Sequence, residues 1–324
     1  LSFLMVDGPE DLWWLIGISG LMMLLHGAYI TAERAAMPNI VADNELATAN
    51  ALGSATWSTA LAMGAFIGGI VVTEYGVEVA FIVDAVTFLI GALILLPLAI
   101  PQDVNEDMKG PLFSTAFSNI KRGLSRLISE PRLKRIVFAK TTWNLAGGGL
   151  AAVFLVLAGS RMTPGEIASG IGLFFMARGI GTGVGPIVAR KYLTDEKKWP
   201  ALIGILVSTS GFFYLLIGLT LFENLYLTIG LVIIAHAASG ANWVLSTILT
   251  QKWVEDEVRG RVFSIDMLLM SVSFSFSTFI AGWLLDNTDL TLKMGMIYFS
   301  CAMMVFGIIF TMWKAEESVQ HRSS

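Results

Sequence analysis

The chain has 324 residues, of which 55% are hydrophobic and 14% charged, with a mean hydropathy of +0.71. A soluble domain carries nearer a quarter charged residues, so lipid is the expected solvent. A net charge of −4 and the lack of a basic stripe argue against nucleic acid as a partner. The single cysteine, Cys301, can form no internal disulfide, and three histidines offer no metal-ligand spacing. No metal or cofactor is expected.

Taken in chain order, Leu1–Val6 reads as the end of an apolar helix, and nine spans follow. They are Leu12–Ile30, Leu52–Val72, Val79–Leu98, Ile136–Ala158, Ala168–Val188, Trp199–Leu221, Leu225–Leu249, Val262–Leu285 and Leu292–Trp313. Each has about 19 to 25 residues, enough at roughly 1.5 Å per residue to cross about 30 Å of hydrocarbon. Such runs lack two-residue alternation and so predict helices rather than barrel strands.

Of the 21 Lys and Arg, 17 fall in alternate connections, beginning with Arg34 in the first connection and ending in the tail after Trp313. Arg161 and Lys293 lie in the other connections, and Lys140 and Arg178 lie within spans. Basic loops stay on the cytoplasmic side. The expectation is a multi-pass protein of the plasma (cytoplasmic) membrane with a cytoplasmic C-terminus. The longest basic connection is itself a cytoplasmic linker (101–135) that separates a partial transmembrane unit (1–100) from a six-helix unit with a short tail (136–324). Within the linker, Leu112–Leu127 sets Phe113, Phe117, Ile120 and Leu124 against Lys121, Arg122 and Arg126. This pattern predicts an amphipathic helix on the inner leaflet, or a solvated linker helix. Val41-Ala-Asp-Asn-Glu-Leu before the second span is echoed by Val254-Glu-Asp-Glu-Val before the eighth, which pairs spans six apart.

Four segments carry a family resemblance: Arg34-Ala-Ala-Met-Pro-Asn-Ile-Val, Glu45-Leu-Ala-Thr-Ala-Asn-Ala-Leu, Gly64-Ala-Phe-Ile-Gly-Gly and Phe81-Ile-Val-Asp-Ala-Val-Thr-Phe-Leu. With Arg259-Gly-Arg-Val-Phe-Ser, taken as a signature preceding a helix, they resemble the macrolide-efflux and enterobactin-exporter-like branch of the major facilitator superfamily. The resemblance implies an all-α membrane fold in which these spans are helices four to twelve. The N-terminal half would then be incomplete, with three complete helices plus a stub, and the C-terminal half would be a complete set of six. It also implies a monomeric secondary transporter that exports an amphipathic small molecule, drug-like or siderophore-like, by antiport with protons through alternating access. Flipping of a lysophospholipid on the same fold is the alternative. The family's antiporter motif on helix five is a small-residue ladder, here Gly64, Ala65, Gly68 and Gly69 with Ala51 and Ala60 before them. Ala65 stands where the family has proline, so the family's kink is not expected.

An ionisable group within a span is a functional candidate. Arg178 lies near the middle of its span, followed by Gly179, Gly181, Gly183, Gly185 and Pro186. It fits a partner for a substrate or coupling carboxylate, or a fixed ion pair across the bundle. Asp84 sits inside the third span, where it can take a proton or gain from a helix N-terminus. Lys140 has Asn144 one turn further on the same face, and its stem can snorkel to the interface. His236 begins a polar stripe with Ser239, Asn242 and Ser246, beside Trp243, at the depth where carriers hold substrate. A histidine held by a backbone carbonyl is the structural alternative. The 15 Met and 35 aromatics suit a deformable apolar cavity, although membrane composition alone supplies them. Gly17-Ile-Ser-Gly resembles the serine motif of rhomboid proteases, with Ser19 as nucleophile, but His236 lies six spans later. No Gly-rich phosphate loop occurs, so an ion gradient is the expected energy source.

Overall fold

Apolar runs in lipid must close their backbone hydrogen bonds within the segment, and every span becomes a helix in the computed structural model. The structure describes all residues except 1, 7, 43, 98–111, 164–165, 193, 221–222 and 314–324. The elements are α1 (Leu12–Ile40), α2 (Leu46–Tyr75), α3 (Val77–Leu95), α4 (Leu112–Ser129), α5 (Pro131–Trp143), α6 (Gly149–Met162), α7 (Ile167–Tyr192), α8 (Trp199–Leu219), α9 (Leu225–Trp253), α10 (Asp256–Asn287) and α11 (Leu292–Met312). A π-helical turn, Asn144–Gly148, fuses α5 and α6 into one span. Among the described residues nine helical spans are long and apolar enough to cross a membrane, and they match the nine expected.

The ends differ from expectation. Helix α1 runs ten residues beyond Ile30, through Pro38, so Arg34 is part of a helix and not of a connection. The Arg259-Gly-Arg-Val-Phe-Ser segment likewise lies inside α10, which begins at Asp256. Hydropathy marks where a helix leaves the hydrocarbon, whereas charged residues with good helix propensity carry the hydrogen bonding further. Among the described residues of the first segment, Ser2–Met5 form a short 3-10 turn. Residues 98–100 at the end of the first unit, residues 101–111 of the linker and the basic tail lie outside the described residues.

Packing is dense in α5–α11 and thin in α1–α3. Helix α3 has no buried residue and α1 has only Ala36. Gly76 joins α2 to α3 at φ +88°, a left-handed conformation open to glycine at low steric cost. Helix α7 lies between α2 and α9, and its glycines serve the two neighbours in alternation. A Cβ on Gly179 would sit 2.7 Å from Ala62 and one on Gly183 3.0 Å from Ser58, both on α2. Gly181 and Gly185 meet the α9 backbone at Ile233 and Ala237. Two small-xxx-small pairs two residues apart therefore face different helices and let both backbones approach closely. Gly204, Gly211 and Gly218 repeat every seven residues along α8 and seat α11 at Thr311, Met303 and Met296.

Helix α4 docks on α10, with Gly123 against the Arg261 carbonyl and Leu127 fully buried. Phe117, Ile120 and Leu124 are exposed together with Ile128, an apolar stripe of the kind an amphipathic helix lays on a leaflet. The side chain of Phe113 lies outside the described residues. Arg126 binds Glu255 at 3.1 Å in the turn between α9 and α10 and lies 3.7 Å from Glu130. The guanidinium hydrogen bond holds the Glu255 carboxyl below its ordinary range. Arg135 donates to the carbonyls of Phe310 (2.9 Å) and Thr311 (3.1 Å), satisfying orphan acceptors in the last turn of α11.

Candidate functional site

Two polar clusters lie inside the bundle, and they divide residues that are neighbours in sequence. The first forms where α7, α8 and α9 meet α5. Tyr214 of α8 reaches His236 of α9, with the hydroxyl 2.6 Å from Nε2, and Ser239 Oγ lies 3.3 Å from Nδ1. The histidine is thus held by side chains and not by the backbone carbonyl expected of a structural histidine. Trp143 stands edge-on to the imidazole, with ring centroids 6.2 Å apart, and its Nε1 donates to Ser210.

Arg178 of α7 completes this cluster. Its charge is within electrostatic reach of Tyr214 and His236, and its Cζ lies 5.9 Å from the Phe175 ring centroid. Its buried Nε has no hydrogen-bond partner among the described residues, and no carboxylate there pairs with it. Arg178 is half-buried overall, and a cation drawn from water without an anion beside it is costly. Asn242, one turn beyond Ser239, is buried with its Oδ1 also unpartnered.

The second cluster lies nearer the end of the bundle that carries α4. Lys140 of α5 donates to Asp266 of α10 at 2.5 Å, with side-chain exposures of 2% and 0%. One turn along both helices, Asn144 at the start of the π turn donates to the Met270 carbonyl at 3.2 Å. Such turns disturb the hydrogen-bond ladder and recur at functional sites. Trp243 of α9 belongs to this cluster rather than to that of His236, because the Arg34 guanidinium stacks on it at 4.5 Å and Lys140 Nζ lies 5.7 Å from its centroid. Gln251 accepts from Asn50 of α2 at 2.7 Å and donates to the Arg34 carbonyl at 3.2 Å. Lys140 does not snorkel; it ends in a buried ion pair.

Asp84 stays apart from both clusters, exposed on α3. The small-residue ladder on α2 splits. Gly69 and Ala65 press on Ala168 and Gly172 of α7, while Gly64 and Gly68 have nothing within 4 Å of a built Cβ. Ser19 is exposed on α1 and His236 is engaged by Tyr214 and Ser239, so the protease-like arrangement is not assembled. Sequence reasoning passed over Asp266, Tyr214, Asn50 and Gln251. A signal existed for Asp266, a carboxylate five residues inside a drawn span.

A crevice of about 170 Å³ lies between α2, α7, the start of α8 and α9, lined by Ala51, Pro186, Arg190, Glu196, Trp199 and Leu245 among others. It is smaller than the roughly 300–1,000 Å³ of drug-sized sites and has room for part of an amphiphile.

The chain is 24% identical over 257 residues to an uncharacterized MFS-type transporter, y4rN, of Sinorhizobium fredii, covering 78% of this chain and 60% of that protein. It is 20% identical over 197 residues to the uncharacterized MFS-type transporter YkuC of Bacillus subtilis, covering 59% of this chain and 46% of the relative. The chain therefore spans less than two thirds of the length of these curated relatives. The family described as Major Facilitator Superfamily matches residues 1–163 and 168–324. With helical spans across that length and polar clusters buried between them, the chain belongs to the Major Facilitator Superfamily, a family of membrane transporters rather than enzymes.

Proposed function

We propose that the protein acts in a secondary transporter that exports an amphipathic small molecule, drug-like or siderophore-like, in exchange for protons. The reading rests on Arg178, whose buried Nε has no partner among the described residues beside an aromatic and histidine-lined site. That combination suits a ligand with a negatively charged group on an apolar body. In this reading α1–α3 belong to one half of the carrier and α5–α11 to the other, joined by the cytoplasmic linker. The C-terminus faces the cytoplasm of the plasma membrane, the ends of the spans near α4 are the cytoplasmic ends, and one chain is the working unit. The central site opens to each side in turn, with His236, Asn242 and Arg178 facing the substrate.

Export of labelled macrolide and siderophore panels from cells making the full-length protein tests the proposal, with and without a protonophore. Net export is expected to collapse when the gradient is dissipated. Arg178→Leu is expected to reduce export of the anionic members by about tenfold or more, the scale of one lost buried charge contact. Undiminished export after protonophore treatment refutes proton coupling, and an Arg178→Leu variant with parental export refutes the placement of the substrate.

The crevice between α2, α7 and α9 favours a second reading, a lysophospholipid drawn from the inner leaflet. Arg190 lies on its wall, where a guanidinium suits a lipid phosphate. Flipping of a fluorescent lysophospholipid in proteoliposomes, blocked by filling the crevice with Ala51→Trp, distinguishes this reading from export through the central site.

A further inference from the structure

We infer that the crevice between α2, α7 and α9 holds a resident anionic phospholipid, with one acyl chain in the crevice and the phosphate at Arg190. The floor is apolar: Ala47 and Ala51 of α2 line it with Pro186 of α7 and Leu245 and Ile248 of α9. Polar groups gather at the rim, where Arg190, Thr194 and Glu196 stand with Trp199 at the start of α8. A volume of about 170 Å³ takes a length of one hydrocarbon chain and no bulkier body. An apolar slot that ends in a cation between membrane-spanning helices is complementary to a lipid at the depth where chain meets acidic headgroup.

Charge decides which headgroup fits. The connection from α7 to α8 carries Arg190, Lys191, Lys197 and Lys198 against Asp195 and Glu196. Both carboxylates are already engaged: Asp195 lies 3.3 Å from Lys198, and Glu196 accepts from Lys252 of α9 at 2.6 Å. Arg190 is exposed and has no hydrogen bond or ion pair among the described residues. The rim therefore presents a planar, two-pronged donor whose charge no neighbouring carboxylate cancels, which suits a phosphate diester. Its net positive charge favours a headgroup that brings no cation of its own, phosphatidylglycerol over phosphatidylcholine. A chain seated there lies beside the hydrogen bond from Asn50 of α2 to Gln251 of α9 and fills the gap between those helices. Unlike the lysophospholipid of the second reading, this lipid stays in place, and its binding needs no transport.

Ala51 supplies the reporter, because it is half-buried in the floor and a thiol there is shielded from alkylation when a chain covers it. The full chain with Ala51→Cys in a Cys301→Ser background is held in neutral-detergent micelles and treated with N-ethylmaleimide in the presence of phosphatidylglycerol, phosphatidylcholine or inorganic phosphate. Phosphatidylglycerol is expected to slow labelling about fivefold more than the same amount of phosphatidylcholine, the scale of one basic side chain at an anionic headgroup. Phosphate alone is expected to leave the rate unchanged. Arg190→Gln is expected to erase the difference between the lipids. Lys252→Gln leaves the Glu196 carboxylate without its cation and is expected to shrink the difference, and Glu196→Gln added to it restores the preference. Equal shielding by the two lipids, shielding by phosphate alone, or full selectivity in Arg190→Gln or Lys252→Gln overturns the inference. If Ala51→Cys does not accumulate, native mass spectrometry of the parent counts the lipid retained from an equimolar mixture. A phosphatidylglycerol excess of about fivefold that Arg190→Gln abolishes supports the site, and equal retention overturns it. Selective binding of phosphatidylglycerol in a protein that flips no lysophospholipid sinks the second transport reading alone, and flipping without headgroup selectivity sinks the resident lipid alone.

Discussion

Replacing Lys140 by methionine keeps most of the side-chain volume and removes the charge that faces Asp266. The carboxylate it leaves is 0% exposed, and the lost partner stood at 2.5 Å. Two unit charges about 3 Å apart at an effective dielectric of about 20 attract by roughly 5 kcal/mol. Breaking a buried pair from one side typically costs about 3–5 kcal/mol, and the nearby Arg34 charge sets the expectation at the lower end, about 3 kcal/mol. Asp266→Asn strands Lys140 and costs a similar amount. The double variant removes both charges and is expected within about 1 kcal/mol of the parent, because an apolar replacement of a buried pair is often neutral. Reversible unfolding in mixed micelles, followed by tryptophan fluorescence and analysed as a double-mutant cycle, reads the coupling. Single losses below about 1 kcal/mol that add in the double variant refute the buried pair.

The alternating glycines of α7 predict that Gly181→Ala destabilises by about 1–3 kcal/mol, since the new methyl meets His236 Cβ at 2.9 Å and the Ile233 carbonyl. Gly64→Ala and Gly68→Ala have open space and are expected within about 0.5 kcal/mol of the parent in the same unfolding assay; a transport loss in these folded variants identifies the ladder as a gating surface. Tyr214→Phe leaves His236 Nε2 buried without its hydroxyl partner and is expected to cost about 1–2 kcal/mol, with unchanged unfolding as the refuting result. At the docked face of α4, Glu255 has its pKa lowered by Arg126. Its stabilisation is therefore present above the ordinary carboxylate range and is lost as pH falls through the depressed value. The Glu255 side chain is 59% exposed, so the pair contributes a few tenths of a kcal/mol at most. Hydrogen exchange of α4 is expected to quicken slightly in acid and in Arg126→Ala at neutral pH, and an Arg126→Ala protein whose exchange still quickens in acid assigns the effect to another group.

The nine helical spans were legible because hydropathy is a property of consecutive residues, and a nonpolar solvent obliges each apolar run to close its own hydrogen bonds. Arg178, Lys140, Asn144 and His236 stood out for the same reason, as polar groups in segments selected against them. Helix ends were less legible, as Arg34 shows, because charged turns carry α1 past the hydrocarbon. Partner choice was not local at all. Lys140 and Asp266 are 126 residues apart, and only the approach of α5 to α10 turns an interfacial lysine into half of a buried ion pair. Trp243 and His236 lie seven residues apart on α9, but one takes cations from α1 and α5 and the other a hydroxyl from α8. The sequence by itself determined a membrane-spanning helical bundle and the polar residues at its depth. The tertiary structure decided which of these were already paired and which, like the Arg178 Nε, lacked a partner, since desolvation and charge compensation depend on the helices that pack around each group.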